Sequence, residues 1–418
     1  MKMVIFGGGS SYTPELIDGL IQCHQDFPVT EVCLLDIDEQ RLEVVGGHSR
    51  RMLARTGLPV TVSTSTDRGE ALNGAAFVNS VIRVGGMDAR INDERIPLKY
   101  DVIGQETTGP GGMMKALRTI PVMLSLAKDM ERMCPDAWLI NYTNPSGIMA
   151  EALGKHSRAR FVGLCSGPKG WIERALGLMG VDPAHANVDW MGLNHLGYIT
   201  RVQVDGKDVT ERAIEAVADH WWPLEGDLIR TLGAIPASYL ASYYHHERLV
   251  QQAKEPGHRT RGETVKEIEA ELLRQYADPN LAEKPSLLAE RGGGGYAEVA
   301  FAAMLAIHHN RPERQIVQVL NQGALDGISH DASVEIPCLV DGAGPHPLRL
   351  GEIPLPIRGL IQAVKAYESL TVQAAVEGSK QVALQTLLAH PLVPSWEVAR
   401  PLLDDLLAAN RQWIPWAD

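Results

Sequence analysis

Cys165 stands directly after a strand-like run, Phe161 to Leu164, and His195 follows in the short stretch Gly192-Leu193-Asn194-His195. The end of a strand is where an open α/β sheet places its ligands. A thiolate and an imidazole together suit a divalent transition metal, with coordination positions left for substrate. Each has a plainer alternative: buried cysteines pack as small apolar groups, and a solitary histidine often serves as a hydrogen-bonded structural residue. A second feature is the glycine turn Gly7-Gly8-Gly9-Ser10, which follows an apolar strand-like run at residues 2 to 6. Backbone N–H groups in such a turn approach a pyrophosphate, and the next helix adds the positive end of its dipole. Gly7 and Gly9 fit the first two positions of a GxGxxG pattern, but Tyr12 occupies the third, so the helix must pack on the strand differently. Asp36 ends the next strand-like run, Val32 to Leu35, where an acid binds adenosine ribose hydroxyls and disfavours the extra phosphate of NADP. Arg41, just beyond, either flanks the adenine or lies on a solvated helix face. A tight turn beside a solvated Asp is the alternative to the whole signature.

These residues need elements to hold them. Thr13-Pro14-Glu15 reads as a helix start, with Thr as cap, Pro at the first position and Glu at the positive dipole end. An amphipathic helix follows from about Glu39 to Arg55. Further strands are expected at Val60 to Ser63, Phe77 to Ile82, Trp138 to Tyr142 and Phe161 to Leu164, with a helix over Lys115 to Met133. The alternation predicts an α/β fold with an N-terminal Rossmann-like, doubly wound parallel sheet over residues 1–188. Beyond Asp189 short strands such as Ile199 to Val204 give way to helices around Arg261 to Tyr276, Tyr296 to His309, Leu360 to Glu377 and Ser379 to Leu388. Residues 189–418 are therefore expected to form a mixed α+β, helix-rich domain for substrate binding and oligomerisation.

The 418 residues are 45% apolar and 22% charged, the balance of a globular protein with a large core. A formal charge of -12 argues against a general nucleic-acid surface, which needs clustered Lys and Arg, but leaves room for a small anionic substrate. No apolar run is long enough to span a bilayer, and the first residues lead into a strand rather than a signal peptide, so a cytoplasmic location is expected. Cys23, Cys33, Cys134, Cys165 and Cys338 are odd in number and show no paired spacing, which predicts reduced thiols.

Several runs together resemble glycoside hydrolase family 4, the NAD- and metal-dependent glycosidases, in its 6-phospho-β-glucosidase branch. They are Gly7-Gly8-Gly9-Ser10 with Tyr12-Thr13-Pro14-Glu15-Leu16, Ile82-Arg83-Val84-Gly85-Gly86, Ile96-Pro97-Leu98-Lys99-Tyr100 and Gly104-Gln105-Glu106-Thr107-Thr108-Gly109-Pro110-Gly111-Gly112. The pattern continues through Asn141-Tyr142-Thr143-Asn144-Pro145, Gly192-Leu193-Asn194-His195, Tyr239-Leu240 with Tyr243-Tyr244, and Val334-Glu335-Ile336-Pro337-Cys338. The resemblance implies hydrolysis of 6-phospho-glucosides without a catalytic carboxylate pair. Oxidation at C3 with NAD acidifies the C2 proton, a base removes it, and the aglycone leaves from C1 before water adds and the hydride returns.

By the same resemblance Cys165 and His195 are metal ligands, usually for Mn2+, and Asn144 lies near the metal and the sugar hydroxyls. Tyr239 matches the general base, with Tyr243 and Tyr244 as rivals. A tyrosine with its ordinary pKa near 10 needs a nearby cation to serve as a base at neutral pH. Arg90 and Arg261 resemble positions that contact substrate, and guanidinium forks suit phosphate oxygens. One departure bears on the anomer: α-specific relatives tend to carry Asp after the metal cysteine and β-specific ones Asn, whereas here Ser166 follows Cys165. Serine cannot serve as the α-type acid, and Arg291-Gly292-Gly293-Gly294-Gly295-Tyr296 looks like the β-branch pattern. Val81 also departs from a polar residue common in relatives. The competing readings are an NAD-dependent dehydrogenase of the lactate or malate type, an α-linked or non-phosphorylated glycoside as substrate, and a non-catalytic sensor. A homodimer or homotetramer is the expected assembly.

Overall fold

The computed structural model describes residues 1–416. Six strands form a parallel set: β1 (Lys2–Phe6), β2 (Glu31–Leu35), β3 (Thr61–Ser65), β4 (Ala75–Ser80), β5 (Trp138–Asn141) and β6 (Arg160–Gly163). Their order across the sheet is β6-β5-β4-β1-β2-β3, with β1 flanked in parallel by β2 and β4. This is the doubly wound Rossmann order, and its direction reverses between β1 and β4. Met3, Val4 and Ile5 of β1 are fully buried, as expected of a strand covered by helices on both faces.

The sheet does not stop at β6. The strands Glu313–Leu320, Ser333–Asp341 and Gly344–Pro347 continue it, giving nine strands among the described residues. Glu313–Leu320 lies antiparallel to β6 through the single pair Gln318 and Gly163, and antiparallel to Ser333–Asp341 along its whole length. The boundary expected between residues 188 and 189 thus falls inside β7 (Ala186–Leu193), and strands from beyond it complete the N-terminal sheet. Sequence pattern did not reveal these strands because polar Gln318 and Glu335 sit fully buried in them. The hairpin of β7 and β8 (Leu196–Val204) builds a second, antiparallel sheet, joined by the short strands Lys207–Asp208 and Ile235–Pro236.

The helices follow their local signals with two instructive differences. The helix Thr13–Cys23 is preceded by Tyr12 without a side-chain cap; the Thr13 hydroxyl instead donates to the Gly8 carbonyl at 2.9 Å, tying helix to glycine turn. The helix expected from Lys115 begins at Gly109, with Pro110 in its first turn, because packing buries glycines that local propensity reads as loop. The helices Arg261–Tyr276 and Tyr296–His309 have the expected spans, the former opened by a capping box between Thr260 and Glu263. No described helix is long and apolar enough to cross a membrane.

A buried charge joins the sheet extension to the helices. Glu151, in the helix Ser146–His156, accepts from Lys365 Nζ at 2.8 Å, Lys155 Nζ at 2.9 Å and the Ser333 N–H at 3.0 Å. Burial pushes this carboxyl upward, but Lys365 and the other donors outweigh it and hold it at about 2, below its ordinary 4.5. Its stabilising contribution is therefore complete above pH 4.5 and is lost as pH falls towards 2. Glu151→Gln is expected to lower stability at neutral pH by about 3 kcal/mol and to flatten this acid limb in urea unfolding. An acid limb as steep as that of the unaltered protein would contradict this assignment.

Candidate active site

The strand ends after β1, β4, β5 and β6 all open on the same side of the sheet, and those after β1, β4 and β5 carry parts of one cavity. Phe6, Gly7, Gly9 and Ser10 come from the first, Val81 to Gly86 from the second, and Tyr142 and Asn144 from the third. The cavity has a volume of about 1120 Å³ and is also lined by Asp36, Arg41, Arg90, Glu106, His195, Tyr239 and Arg261. Ten of the sequence-nominated residues are thus brought to one surface. The other two lie behind it: Gly8 packs inward, and Cys165 is 5% exposed.

At one end the glycine turn is held against the second strand. Gly7 has φ +93°, a conformation that favours glycine, and a Cβ on Gly8 would lie 2.6 Å from Leu34 Cβ. The Gly9 N–H donates to Asp36 Oδ2 at 2.9 Å, so the turn and the acid form one continuous surface. A Cβ on Gly9 would lie 2.9 Å from Arg41 Cβ and 3.0 Å from Asp36 Oδ2, so this close packing of turn and acid requires glycine. Asp36 keeps lone-pair capacity for hydroxyl donors. Arg41 is not a free flank: its Nε donates to the Gly9 carbonyl at 2.9 Å and its Nη1 to Glu269 at 3.0 Å. A glycine cradle without side chains, next to a fixed acid, fits an adenosine diphosphate moiety.

At the other end His195 occupies the turn of the β7–β8 hairpin with φ +63°, an unusual conformation for a side-chain-bearing residue. Its Nδ1 lies 2.6 Å from Thr107 Oγ1, which leaves Nε2 for another partner. Burial lowers its pKa to about 4, so the ring is neutral and retains a lone pair. Burial raises the Cys165 thiol to about 12, with Glu335 adding to the rise, while the Gly167 N–H, Asn194 and Tyr296 act in the opposite direction. Such a thiol ionises only beside a cation. A neutral imidazole nitrogen and a thiol that a cation would ionise can serve as two donors to a divalent transition metal. Among the described residues no three of His, Cys, Asp and Glu converge as a metal cluster, so the pair leaves coordination positions to other ligands.

Tyr239 lies on His195, ring centroids 4.3 Å apart, and edge-on to Trp171 at 5.2 Å. Its side chain is 43% exposed within the cavity, yet the enclosing protein, Cys165 and Glu106 hold the hydroxyl well above its ordinary value. Arg90 acts in the opposite direction without offsetting them. The rival tyrosines are occupied elsewhere. Tyr243 shares a 2.5 Å hydrogen bond with Thr108, and Tyr244 shares one of 2.8 Å with Tyr198.

The arginines are placed unlike each other. Arg90 is 8% exposed and sits between Glu94, at 2.8 Å, and Glu106, at 2.7 Å, so it enters the site as part of an ion network. Arg261 is exposed at the start of its helix and donates to the Glu290 carbonyl at 2.7 Å. The carboxylate of Glu106 also pairs with Arg83 and Lys115. Burial alone would raise Glu106; Arg83, Lys115 and Arg90 outweigh it and hold the group ionised well below the usual range. Burial and Arg83 lower Lys115 to about 7 against the pull of Glu106. Three cations, Arg83, Arg90 and Lys115, against two carboxylates, Glu94 and Glu106, leave this wall with a small positive excess. Buried Arg291 adds to it, donating to Ser11 Oγ at 2.7 Å. Arg83, Glu106 and Arg291 stand in the sequence runs quoted above, but nothing in their local pattern assigns them to one wall.

A glycine-turn cradle of the dinucleotide-binding type shares one cavity with an imidazole and a tyrosine, with the Cys165 thiol behind its wall, an arrangement that defines a Rossmann-fold enzyme. The chain belongs to glycosyl hydrolase family 4: the model for the family 4 glycosyl hydrolases matches residues 2–180, and that for their C-terminal domain residues 190–393. It is 41% identical to the probable 6-phospho-beta-glucosidase of Bacillus subtilis (strain 168), over 99% of this chain and 97% of that one. Among solved structures it resembles the 6-phospho-beta glucosidase from Thermotoga maritima with manganese, NAD+ and glucose-6-phosphate, at a TM-score of 0.91, 33% identity and 99% coverage of both chains. A 6-phospho-alpha-glucosidase from gut microorganisms, in complex with NAD and glucose-6-phosphate, matches at 0.90 and 31%, again over 99% of both.

Removing the charge of Glu106 leaves three cations without their common partner. Glu106→Gln is expected to cost about 3 kcal/mol in urea unfolding, the lower end for a broken buried pair because the cavity admits water. A loss below about 1 kcal/mol would show that the cations are compensated elsewhere.

Proposed function

We propose that this protein hydrolyses 6-phospho-glucosides, preferentially β-linked, by NAD-dependent oxidation at C3, deprotonation at C2 and elimination, with a divalent metal, Mn2+, at Cys165 and His195. The observation that carries this reading is the single cavity shared by Gly7, Gly9 and Asp36 at one end and Asn144, His195 and Tyr239 at the other. Gly7, Gly9 and Asp36 would hold the nucleotide, and Asn144, His195 and Tyr239 line the end of the cavity where the sugar would sit. NAD supplies reversible hydride acceptance, and the metal supplies Lewis-acid polarisation of the sugar oxygens.

The chain's own residues then have distinct tasks. The glycine turn and Asp36 bind and orient the adenosine half. His195, its ring fixed by Thr107, and Cys165 hold the metal beside the sugar, with Asn144 near the sugar hydroxyls. Tyr239, as the phenolate that Arg90 and a bound cation would favour, would take the C2 proton onto its phenolic oxygen. The positive wall of Arg90, Arg83 and Lys115, with Arg261 at the rim, attracts the phosphate of the substrate. Ser166 offers no titratable acid, which supports the β-linked substrate, as does the identity with the Bacillus protein. The five free cysteines accord with a cytoplasmic enzyme. Exposed Leu355 and Trp396 are apolar surface that a homodimer or homotetramer would cover.

In a panel of α- and β-linked aryl 6-phosphoglucosides and unphosphorylated controls, assayed with NAD and Mn2+, the phosphorylated β-linked compounds should release aglycone without net change at the NADH absorbance. Steady NADH accumulation without aglycone release would sink the glycosidase reading. Tyr239→Phe should slow exchange of the C2 proton with D2O by about 100-fold or more. Exchange at the unaltered rate would move the base elsewhere.

A further inference from the structure

Behind the cavity wall lies a carboxylate that none of the roles above uses. Glu335, in the strand Ser333–Asp341, is fully buried and forms no ion pair with a cation among the described residues. Its two oxygens accept from three neutral donors: Trp190 Nε1 at 3.1 Å, Asn194 Nδ2 at 3.1 Å and Gln318 Nε2 at 2.6 Å. A buried carboxylate left without a counter-cation is costly unless it takes up a proton or a positive charge is supplied close by.

Each donor leads to a different wall of the site. Asn194 immediately precedes His195 in the hairpin turn and also acts on the Cys165 sulfur. Gln318 is the cross-strand partner of both Glu335 and Gly163, and its Oε1 accepts from Ser146 at 2.7 Å, just after Asn144-Pro145. A Cβ on Gly163 would lie 2.7 Å from that same oxygen, so the contact depends on glycine two residues before Cys165. Trp190 stacks on Trp171 at 5.6 Å and 4°, and Trp171 meets the edge of Tyr239. One carboxylate therefore orients the turn bearing His195, the strand ending before Cys165 and the aromatic support of Tyr239.

We infer that Glu335 is a positioning residue for the cation site, fixing Asn194 behind Cys165 and His195 and placing an uncompensated negative charge behind the bound metal. This rests on the reading of Cys165 and His195 as metal ligands. Partners that orient metal ligands from behind typically govern affinity by 10- to 100-fold. Glu335→Gln keeps the size, removes the charge and turns a donor towards three donors.

The test is titration of the purified full-length protein, saturated with NAD, with Mn2+ alone, following free Mn2+ by electron paramagnetic resonance. Glu335→Gln should weaken Mn2+ binding about 10- to 100-fold, while NAD affinity by calorimetry stays within about 3-fold. Glu335→Asp, which keeps the charge, should recover part of the loss. Wild-type Mn2+ affinity in Glu335→Gln, or equal weakening of NAD and Mn2+, would assign Glu335 a purely structural role and overturn the inference. Should Glu335→Gln fail to fold, Glu335→Asp carries the test: weakened Mn2+ binding with NAD affinity kept supports it, and unchanged Mn2+ affinity overturns it. A His195→Ala variant that binds Mn2+ as tightly as wild type would instead overturn the metal-site reading, and this inference with it.

Discussion

Where the strand order of a parallel sheet reverses, the connections on its two sides leave to opposite faces and cannot close over the gap between them. In this protein the reversal lies between β1 and β4, the connections after β1, β4 and β5 line the cavity there, and the one after β6 places Cys165 behind it. The glycine turn, the Val81–Gly86 segment, Asn144 and Cys165 are far apart in sequence but follow neighbouring strands. The antiparallel strands beyond β6 then bring Glu335 behind that opening, and the β7–β8 hairpin brings His195 to it.

A cavity so assembled must manage buried charge. Two carboxylates, one in its wall and one behind it, do so in opposite ways. Glu106 sits among Arg83, Arg90 and Lys115, which hold it ionised and leave the wall positive for an anionic substrate. Glu335 sits among three neutral donors and is raised by burial to about 7, so a proton or a positive charge nearby completes its environment. Residue type alone does not separate these two glutamates. Their neighbours do, through desolvation and Coulomb interaction acting over a few ångströms.

The same packing resolves the tyrosines and arginines. Tyr243 and Tyr244 spend their hydroxyls on Thr108 and Tyr198, whereas Tyr239 faces the cavity beside His195. Arg90 is drawn inward between two glutamates, Arg41 is pinned to the glycine turn, and Arg261 stays at the rim. Three side chains of one chemical type thus have three different capacities for a phosphate.

Sequence by itself determined the features whose causes are local. The apolar run before Gly7, Asp36 after the second strand, the alternation of strand and helix up to Met179 and the caps of the later helices follow from hydrophobic period, turn chemistry and backbone dipoles within a few residues. The family motifs also named Cys165, His195 and Tyr239. Tertiary structure alone decided that strands beyond residue 312 complete the N-terminal sheet, because their buried Gln318 and Glu335 break the apolar pattern that would announce them. It also decided that Cys165 stands behind the cavity lining, that Arg90 is buried, and that Arg83, Glu106, Lys115 and Glu335 belong to the site. Those facts depend on burial and on charges brought together from distant segments, and a side chain's pKa and free hydrogen-bonding capacity exist only once those neighbours are in place.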